Sequence, residues 1–371
     1  MKLHFTLCFV TAVGLLLAGC SKKADSPAPV TPPSSTTITP PITATTTPPS
    51  TTTVAGSTAT VTTLAGNGDE GYVDGTGKAA RFKNPSAVVC DLADNVYVVD
   101  LNNGRIRVVS PAGVVSTLAG SGAVGVTDGT GANATFYLAG GGYVSRDAAG
   151  NMLLSENSTA RTAIRQVTPA GVVSTLTTVP IGVGVPLGFY ALAVAKNGNI
   201  YVSDGSAIRL FRTNTLTVFA GGTRGYANGT LSTAQFNNPN GLAFDADGNL
   251  YVADENACIR KITPAGVVSL LAGQPGVPGI ADGKGSAATF RSPTGLVADK
   301  QGNLYVADNT LIRRITPDGT VTTIAGSGQG YADGTGSTAN FRNARSITID
   351  SKGVLYVADV SNQAIRKIVV Q

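Results

Sequence analysis

The chain has 371 residues, a formal net charge of +5 and a single histidine. Its 27 Lys and Arg residues are spread along the sequence and do not cluster with aromatic residues, which argues against a nucleic-acid-binding surface. The one histidine is His4, so the remainder of the chain cannot form a Ser-His-Asp triad or a His-ligated zinc site.

Residues 1–20 have the pattern of a bacterial secretion signal. A lysine near the start precedes an apolar run that is too short and wrongly flanked for a stable membrane span. The run ends in Leu-Ala-Gly-Cys, which resembles the lipobox of bacterial lipoproteins, and this resemblance implies that Cys20 carries the lipid. An ordinary signal peptide with a chance cysteine is the alternative. We expect a lipid-anchored protein of the bacterial cell envelope.

The outer membrane is the expected location, because Ser21 is not the aspartate that retains lipoproteins at the inner membrane in some bacteria. Residues 21–60 follow, and they consist mainly of Thr, Pro, Ser and Ala. Such a composition cannot bury enough apolar surface to offset the entropy of ordering the chain. Proline keeps such a chain extended, so this segment is predicted to be a disordered, semi-rigid tether.

Residues 61–371 form the predicted folded domain, and they repeat one pattern six times. The clearest copy covers residues 241–266, GLAFDADGNLYVADENACIRKITPAG, and the others begin near residues 86, 143, 191, 295 and 346. In that copy, strands are expected at residues 242–245, 250–254, 258–263 and 267–271, with Gly- and Asn-containing turns between them. A repeat of ~50 residues with four short strands is typical of one blade of a β-propeller.

The two ends of the domain predict how a ring of blades closes. Residues 61–64 match the fourth strand of the repeat, and residues 365–370 match the third. The opening strand can therefore complete the last sheet. The strands balance only if the ring has six blades, so the expected fold is an all-β, six-bladed β-propeller of four-stranded antiparallel blades, folded as a monomer.

The repeated motif, YVADxxNxxIRKItPxGxVttlAG, resembles the NHL-repeat family of six-bladed propellers. The resemblance covers residues 61–371 and is clearest at residues 251–261, 305–314 and 356–367. It implies the fold but not the activity, because propellers of this kind include scaffolds, ligand binders and some lyases.

Two polar residues recur in every copy. An acid ends the second strand, and an arginine lies in the third. The acids are Asp100, Glu156, Asp204, Asp254, Asp308 and Asp359, and the arginines are Arg107, Arg165, Arg209, Arg260, Arg313 and Arg366. A ring of carboxylates could bind a cation, but an element needed six times at equivalent places favours a structural acid–arginine pair. We therefore expect loss of Asp308 alone to lower stability.

The connectors between copies carry a second recurring pattern. Asp-Gly or Asn-Gly occurs at residues 74, 128, 228, 282 and 333, and each pair is followed by a phenylalanine. These pairs favour turns, and one carboxylate per loop is too few for calcium, which takes six to eight oxygen ligands. The phenylalanines are expected to fill the gaps between blades. Cys90 and Cys258 lie in different copies and are predicted to be separate buried thiols.

Positions that differ between copies are the better candidates for a binding site. Immediately before the first strand, near the predicted ring axis, the copies carry Ser86, Gly142, Tyr190, Asn240, Thr294 and Arg345. Of these, Ser86, Tyr190, Asn240, Thr294 and Arg345 are the candidate ligand-binding residues of the channel mouth. Their chemistry suits a small polar or anionic ligand, with Arg345 as the charge partner. A polar rim without a ligand is the alternative.

Blades two and three are irregular. Blade two begins with a run of glycines before Tyr143, and blade three lacks the Asp-Gly connector, so a notch beside them could admit a ligand. The sequence predicts a binding or scaffold module for a protein or glycan partner, without catalytic residues, metal or other cofactor. A propeller enzyme, a lyase or hydrolase acting at the axial mouth, is the alternative function.

Overall fold

The computed structural model describes residues 59–138, 142–158, 161–180 and 188–371. The predicted signal peptide, Cys20 and nearly all of the predicted tether lie outside these residues, as do parts of the irregular loops of blades two and three. Within the described part of the chain, no helix is long and apolar enough to cross a membrane.

Six antiparallel sheets form the blades of a β-propeller, which confirms the predicted fold class. The inner strands are Pro85–Cys90, Val144–Arg146, Ala191–Val194, Pro239–Phe244, Pro293–Ala298 and Ala344–Ile349. The second strands are Val96–Asp100, Met152–Asn157, Ile200–Ser203, Leu250–Asp254, Leu304–Asp308 and Leu355–Asp359. The third strands are Arg105–Val109, Arg161–Val167, Ala207–Arg212, Cys258–Ile262, Leu311–Ile315 and Ala364–Val370. The fourth strands of blades one to five are Val114–Ala119, Val172–Pro180, Thr215–Gly221, Val267–Gly273 and Thr320–Ala325.

Blade six takes its fourth strand from the beginning of the domain. Ala59–Ala65 pairs antiparallel with Ala364–Val370, and Val61 lies opposite Ile368. This confirms the predicted closure of the ring. The strand begins two residues before residue 61, the start expected from the repeat, because Ala59 and Thr60 also pair with the C-terminal strand.

Five blades have an additional edge strand that the sequence analysis did not predict. The glycine of each connector pair was expected to lie in a turn. In the structure it is the first residue of a two-residue strand that pairs with the fourth strand. These edge strands are Gly75–Thr76, Gly129–Thr130, Gly229–Thr230, Gly283–Lys284 and Gly334–Thr335. Short 3-10 turns occupy Gly77–Ala79, Leu101–Asn103, Gly131–Asn133, Gly285–Ala287, Gly336–Thr338 and Val360–Asn362. Within the described residues, blade three has no such edge strand.

The phenylalanines of the connectors are buried between neighbouring blades, as predicted. Phe82 lies in one buried cluster with Tyr356 and Ile365 of blade six and with Val88 and Val98 of blade one. The same burial applies to Phe136, Phe236, Phe290 and Phe341. In blade three, where the Asp-Gly pair is missing, Phe189 is fully buried between blades two and three and supplies the same wedge.

Cys90 and Cys258 are buried free thiols, as predicted. Burial raises the pKa of each thiol to about 12, because the apolar surroundings disfavour the thiolate. They therefore act as small apolar side chains of the core rather than as reactive groups.

Candidate functional site

The antiparallel blades give the ring two distinct faces. The connector face carries the loops between blades and the loops between second and third strands. The hairpin face carries the turns between first and second strands and between third and fourth strands. Because every inner strand begins at the connector face, the five candidate mouth residues are all placed at that end of the channel.

Below the connector face, the recurring arginines form a buried charge network. In blade six, the two terminal guanidinium nitrogens of Arg366 donate to Asp359, at 3.0 Å, and to Asp333 of the connector, at 2.8 Å. They also donate to the backbone carbonyls of Asn340 and Ala332. The guanidinium lies 5.1 Å from the ring centroid of Phe341, the interblade wedge. One arginine thus ties together a second strand, a connector and a wedge.

The other blades repeat this network with local changes. All six blades contain the acid–arginine ion pair, as predicted for a structural element of the repeat. In blade four, Asn228 replaces the connector aspartate and accepts from Arg260 at 2.7 Å. In blade three, Arg209 pairs with Asp204 alone among the described residues. Only this arginine of the six is partly exposed, with 14% of its side-chain surface accessible.

The strand-ending acids are enclosed by protein and do not face a ligand cavity. Burial raises the pKa of Asp308 and Asp100, and it raises the pKa of Glu156 to about 7 and that of Asp254 to about 6. Asp308 also accepts hydrogen bonds from the backbone N–H groups of Arg291 and Ser292. These acids therefore hold the incoming connector in place, and the cation-binding ring considered from the sequence is not formed.

Three of the five mouth candidates meet at one cavity on the axis. Ser86, Asn240 and Arg345 line a small cavity of about 60 Å³, to which all six blades contribute residues. Tyr190 and Thr294 are half-buried and do not line it. The Thr294 hydroxyl donates to the backbone carbonyl of Arg345 at 2.8 Å, so it joins the inner strands of blades five and six.

Tyr143 is a residue of this cavity that the sequence analysis did not select. Arg345 donates from Nη2 to the Tyr143 hydroxyl at 3.1 Å, and its guanidinium carbon lies 5.4 Å from the tyrosine ring centroid. Tyr143 follows the mouth position of blade two by one residue. The corresponding residues of the other blades are all small: Ala87, Ala191, Gly241, Gly295 and Ser346. Tyr143 is the only large residue among these six positions. The sequence therefore contained a signal for it, but only the preceding position was compared between copies.

The cavity combines one cation with polar groups that have unused hydrogen-bonding capacity. Within the described residues, Arg345 has no carboxylate partner within 4.0 Å. The Ser86 hydroxyl is buried and has no hydrogen-bond partner there. Aliphatic side chains form the floor: Val88, Val144, Leu192, Leu242, Leu296 and Ile347. This arrangement can hold a small anionic group, because a guanidinium and neutral donors converge above an apolar base.

Carboxylates and metal ligands do not converge at this mouth in the described residues. The described residues include no histidine and no group of three or more His, Cys, Asp or Glu side chains that could hold a metal ion. Arg345, Tyr143, Ser86 and Asn240 supply positive charge and hydrogen bonds but no carboxylate base.

Comparisons with known proteins agree with this architecture. The model of the NHL repeat matches residues 236–260, from the interblade wedge of blade four to its buried arginine. The molecule is thus a six-bladed β-propeller that carries an NHL repeat. Protein SUPPRESSOR OF QUENCHING 1, chloroplastic, from Arabidopsis thaliana is 26% identical over 332 residues, which cover 83% of this chain and 27% of that protein. The chain therefore spans only about a quarter of this relative.

Two solved structures from Bacteroides share the fold. A protein of unknown function from Bacteroides thetaiotaomicron is 22% identical and superposes with a TM-score of 0.67. The matched region covers 84% of this chain and 76% of that protein. An auxiliary nutrient binding protein from Bacteroides ovatus is also 22% identical, covers 85% of this chain and 77% of its own, and has a TM-score of 0.64. At this identity the likeness shows the fold alone.

Proposed function

We propose that the protein is a non-enzymatic binding module whose propeller captures a carboxylate-bearing ligand at the axial mouth of the connector face. The observation that carries this proposal is Arg345, a cation without a carboxylate partner in the described residues, held by Tyr143 at a cavity that all six blades line. The carboxylate belongs to an acidic glycan or to an acidic side chain of a protein partner. Tyr190 and Thr294 are proposed to form the outer rim.

The nutrient-binding name of the Bacteroides ovatus neighbour supports a binding module. Against the lyase or hydrolase alternative, the described residues near the mouth include no histidine and no carboxylate. The buried acids are already bonded to arginines and backbone amides.

Replacing Arg345 by glutamine is expected to weaken carboxylate binding at least tenfold, because a hydrogen bond to a charged group contributes about 1.5–3 kcal/mol. The full chain, in detergent, would be titrated calorimetrically with glucuronate and with an acetylated Asp-Glu dipeptide, which separates a glycan from a protein source. Arg342→Gln is the matched control, since Arg342 is exposed three residues earlier in the same connector. Equal weakening by both substitutions, or no binding of either probe, would contradict the proposal.

For location, we propose a lipid anchor at Cys20 and attachment to the bacterial envelope, most simply the outer membrane. A multiply acylated cysteine gives firm attachment, because each buried CH₂ contributes about 0.8 kcal/mol. The Cys20→Ala variant is expected to leave the membrane fraction on alkaline washing, whereas Cys8→Ala should stay. Retention of both variants would show that Cys20 is not the anchor.

A further inference from the structure

A larger cavity lies on the hairpin face, between blades three and four. Its volume is about 690 Å³. Tyr201, Phe219, Leu231 and Phe244 form its apolar wall, and we call this site the aromatic groove. Phe219 and Phe244 both meet the Tyr201 ring edge to face, with centroid distances of 4.9 and 5.1 Å. Apart from Tyr201, these side chains are only partly buried, so they wall an open space instead of filling it.

Four residues of the aromatic groove depart from the repeat, and they come from four separate segments. Phe219 replaces the aliphatic residue of the other fourth strands: Leu64, Leu118, Leu176, Leu271 and Ile324. Leu231 replaces the glycine of the other connectors: Gly77, Gly131, Gly285 and Gly336. Phe244 stands where the other inner strands have Cys90, Arg146, Val194, Ala298 and Ile349. Three of the four departures thus add apolar or aromatic surface to one groove.

The fourth departure removes the partner of a tyrosine hydroxyl. In blades four, five and six, the equivalent tyrosines donate to the aspartate of the hairpin turn, as Tyr251 does to Asp245 at 3.0 Å. Blade three has Ala195 at the aspartate position. Tyr201 is 91% buried, since its relative exposure is 9%, and none of the described side chains bonds its hydroxyl. Tyr201 lines the groove, where a ligand or solvent can satisfy its hydroxyl.

The rim of the groove carries both hydrogen-bond donors and hydrogen-bond acceptors. Lys196 and Asn197 of blade three and Asp247 of blade four border it, and Arg146 lies at its axial end. Within the described residues, Arg146 has no carboxylate partner within 4.0 Å. The donors and acceptors are therefore mixed, and no single charge dominates the aromatic wall.

We propose that the aromatic groove binds a neutral oligosaccharide. A pyranose ring presents C–H surface that packs on aromatic rings and hydroxyl groups that both donate and accept hydrogen bonds at its edge. Tyr201 and the mixed rim match those hydroxyls, whereas a purely apolar ligand would leave the Tyr201 hydroxyl buried without a partner. The cavity volume, about 690 Å³, lies within the range usual for ligand pockets, about 300–1,000 Å³, and accommodates more than one sugar ring.

The test uses the full chain in detergent with four neutral probes: maltoheptaose, cellohexaose, laminarihexaose and xylohexaose. At least one is expected to bind in calorimetric titration and to change tyrosine fluorescence, which is measurable because the chain has no tryptophan. The double variant Phe219→Leu/Phe244→Ala introduces residues that sister blades carry at these positions, so folding should be retained. It is expected to weaken binding at least tenfold.

Two further variants make the outcome specific. Ala195→Asp returns the missing carboxylate to Tyr201 and should weaken saccharide binding about fivefold, whereas Arg345→Gln at the opposite face should not change it. The result for Arg345→Gln distinguishes the two sites. If the axial mouth proves not to bind a carboxylate, the proposal for the aromatic groove is unaffected. The proposal is overturned if none of the four saccharides binds at millimolar concentration, or if the Phe219→Leu/Phe244→Ala variant binds them as the unmodified chain does.

Discussion

Replacing Asp308 by alanine is expected to destabilise the propeller by about 3–5 kcal/mol, the usual cost of removing one partner of a buried ion pair. Arg313 is fully buried, and one of its two terminal nitrogens donates to Asp308 at 3.1 Å. The substitution also removes the acceptor of the Arg291 and Ser292 backbone amides. Two amides would then lose their acceptor, and the guanidinium would lose one of its two carboxylate partners, where water has little access.

The molecule contains its own control for this experiment. Asp282 bonds the other terminal nitrogen of Arg313 at 2.9 Å, and blade four has Asn228 at that position. Asp282→Asn should therefore cost about 1 kcal/mol or less, because an amide oxygen still accepts the hydrogen bond. Urea unfolding of both variants measures the difference. An unchanged midpoint for Asp308→Ala would mean that the recurring acid does not stabilise the blade.

Replacing Gly241 by alanine is expected to cost about 1–3 kcal/mol through overpacking. A Cβ atom on Gly241 would lie 2.0 Å from the carbonyl oxygen of Thr294 and 2.6 Å from a methyl group of Leu296. Both belong to the inner strand of blade five, so the two inner strands would have to separate at the channel.

The matched control for this substitution is Gly328→Ala. A Cβ atom there would meet no atom within 4 Å, and the backbone is not in the left-handed region. Thermal unfolding should show a lower midpoint for Gly241→Ala and a nearly unchanged midpoint for Gly328→Ala. Equal midpoints would show that the inner strands yield easily, and would argue against a rigid mouth around Arg345.

The fold was predictable because its information is repeated along the chain. Each blade repeats the same alternation of apolar runs and Gly- or Asn-containing turns, and the unmatched strands at residues 61–64 and 365–370 fixed the closure. The two-residue edge strands were not predictable, because Gly75–Thr76 and its equivalents carry no hydrophobic pattern and pair only once the fourth strand is in place. For the same reason, the paired function of Asp74 and Arg107 was visible only in three dimensions.

The residues of the candidate sites were predictable only where they occupy the same position in each repeat. Comparison of one position across six copies selected Arg345, Ser86 and Asn240, which line the axial cavity, but Tyr143 lies one residue further along and accepts a hydrogen bond from Arg345 of blade six. The aromatic groove was harder to foresee, because Tyr201, Phe219 and Phe244 lie on three different strands of two blades. The irregular blades two and three predicted a notch beside them. The deviations of blade three instead line a groove that it shares with blade four.

The closure of the ring also determines when the protein can fold. Blade six joins the first strand of the domain to the last, and the contact between Thr60 and Gln371 links residues 311 positions apart. Contacts between such distant residues form late, since the intervening chain must first be gathered. The ring cannot close before the C-terminal strand has been synthesised, so the opening strand lacks its main partner until then. Loss of that strand would leave Ala59–Ala65 paired only with Gly334–Thr335.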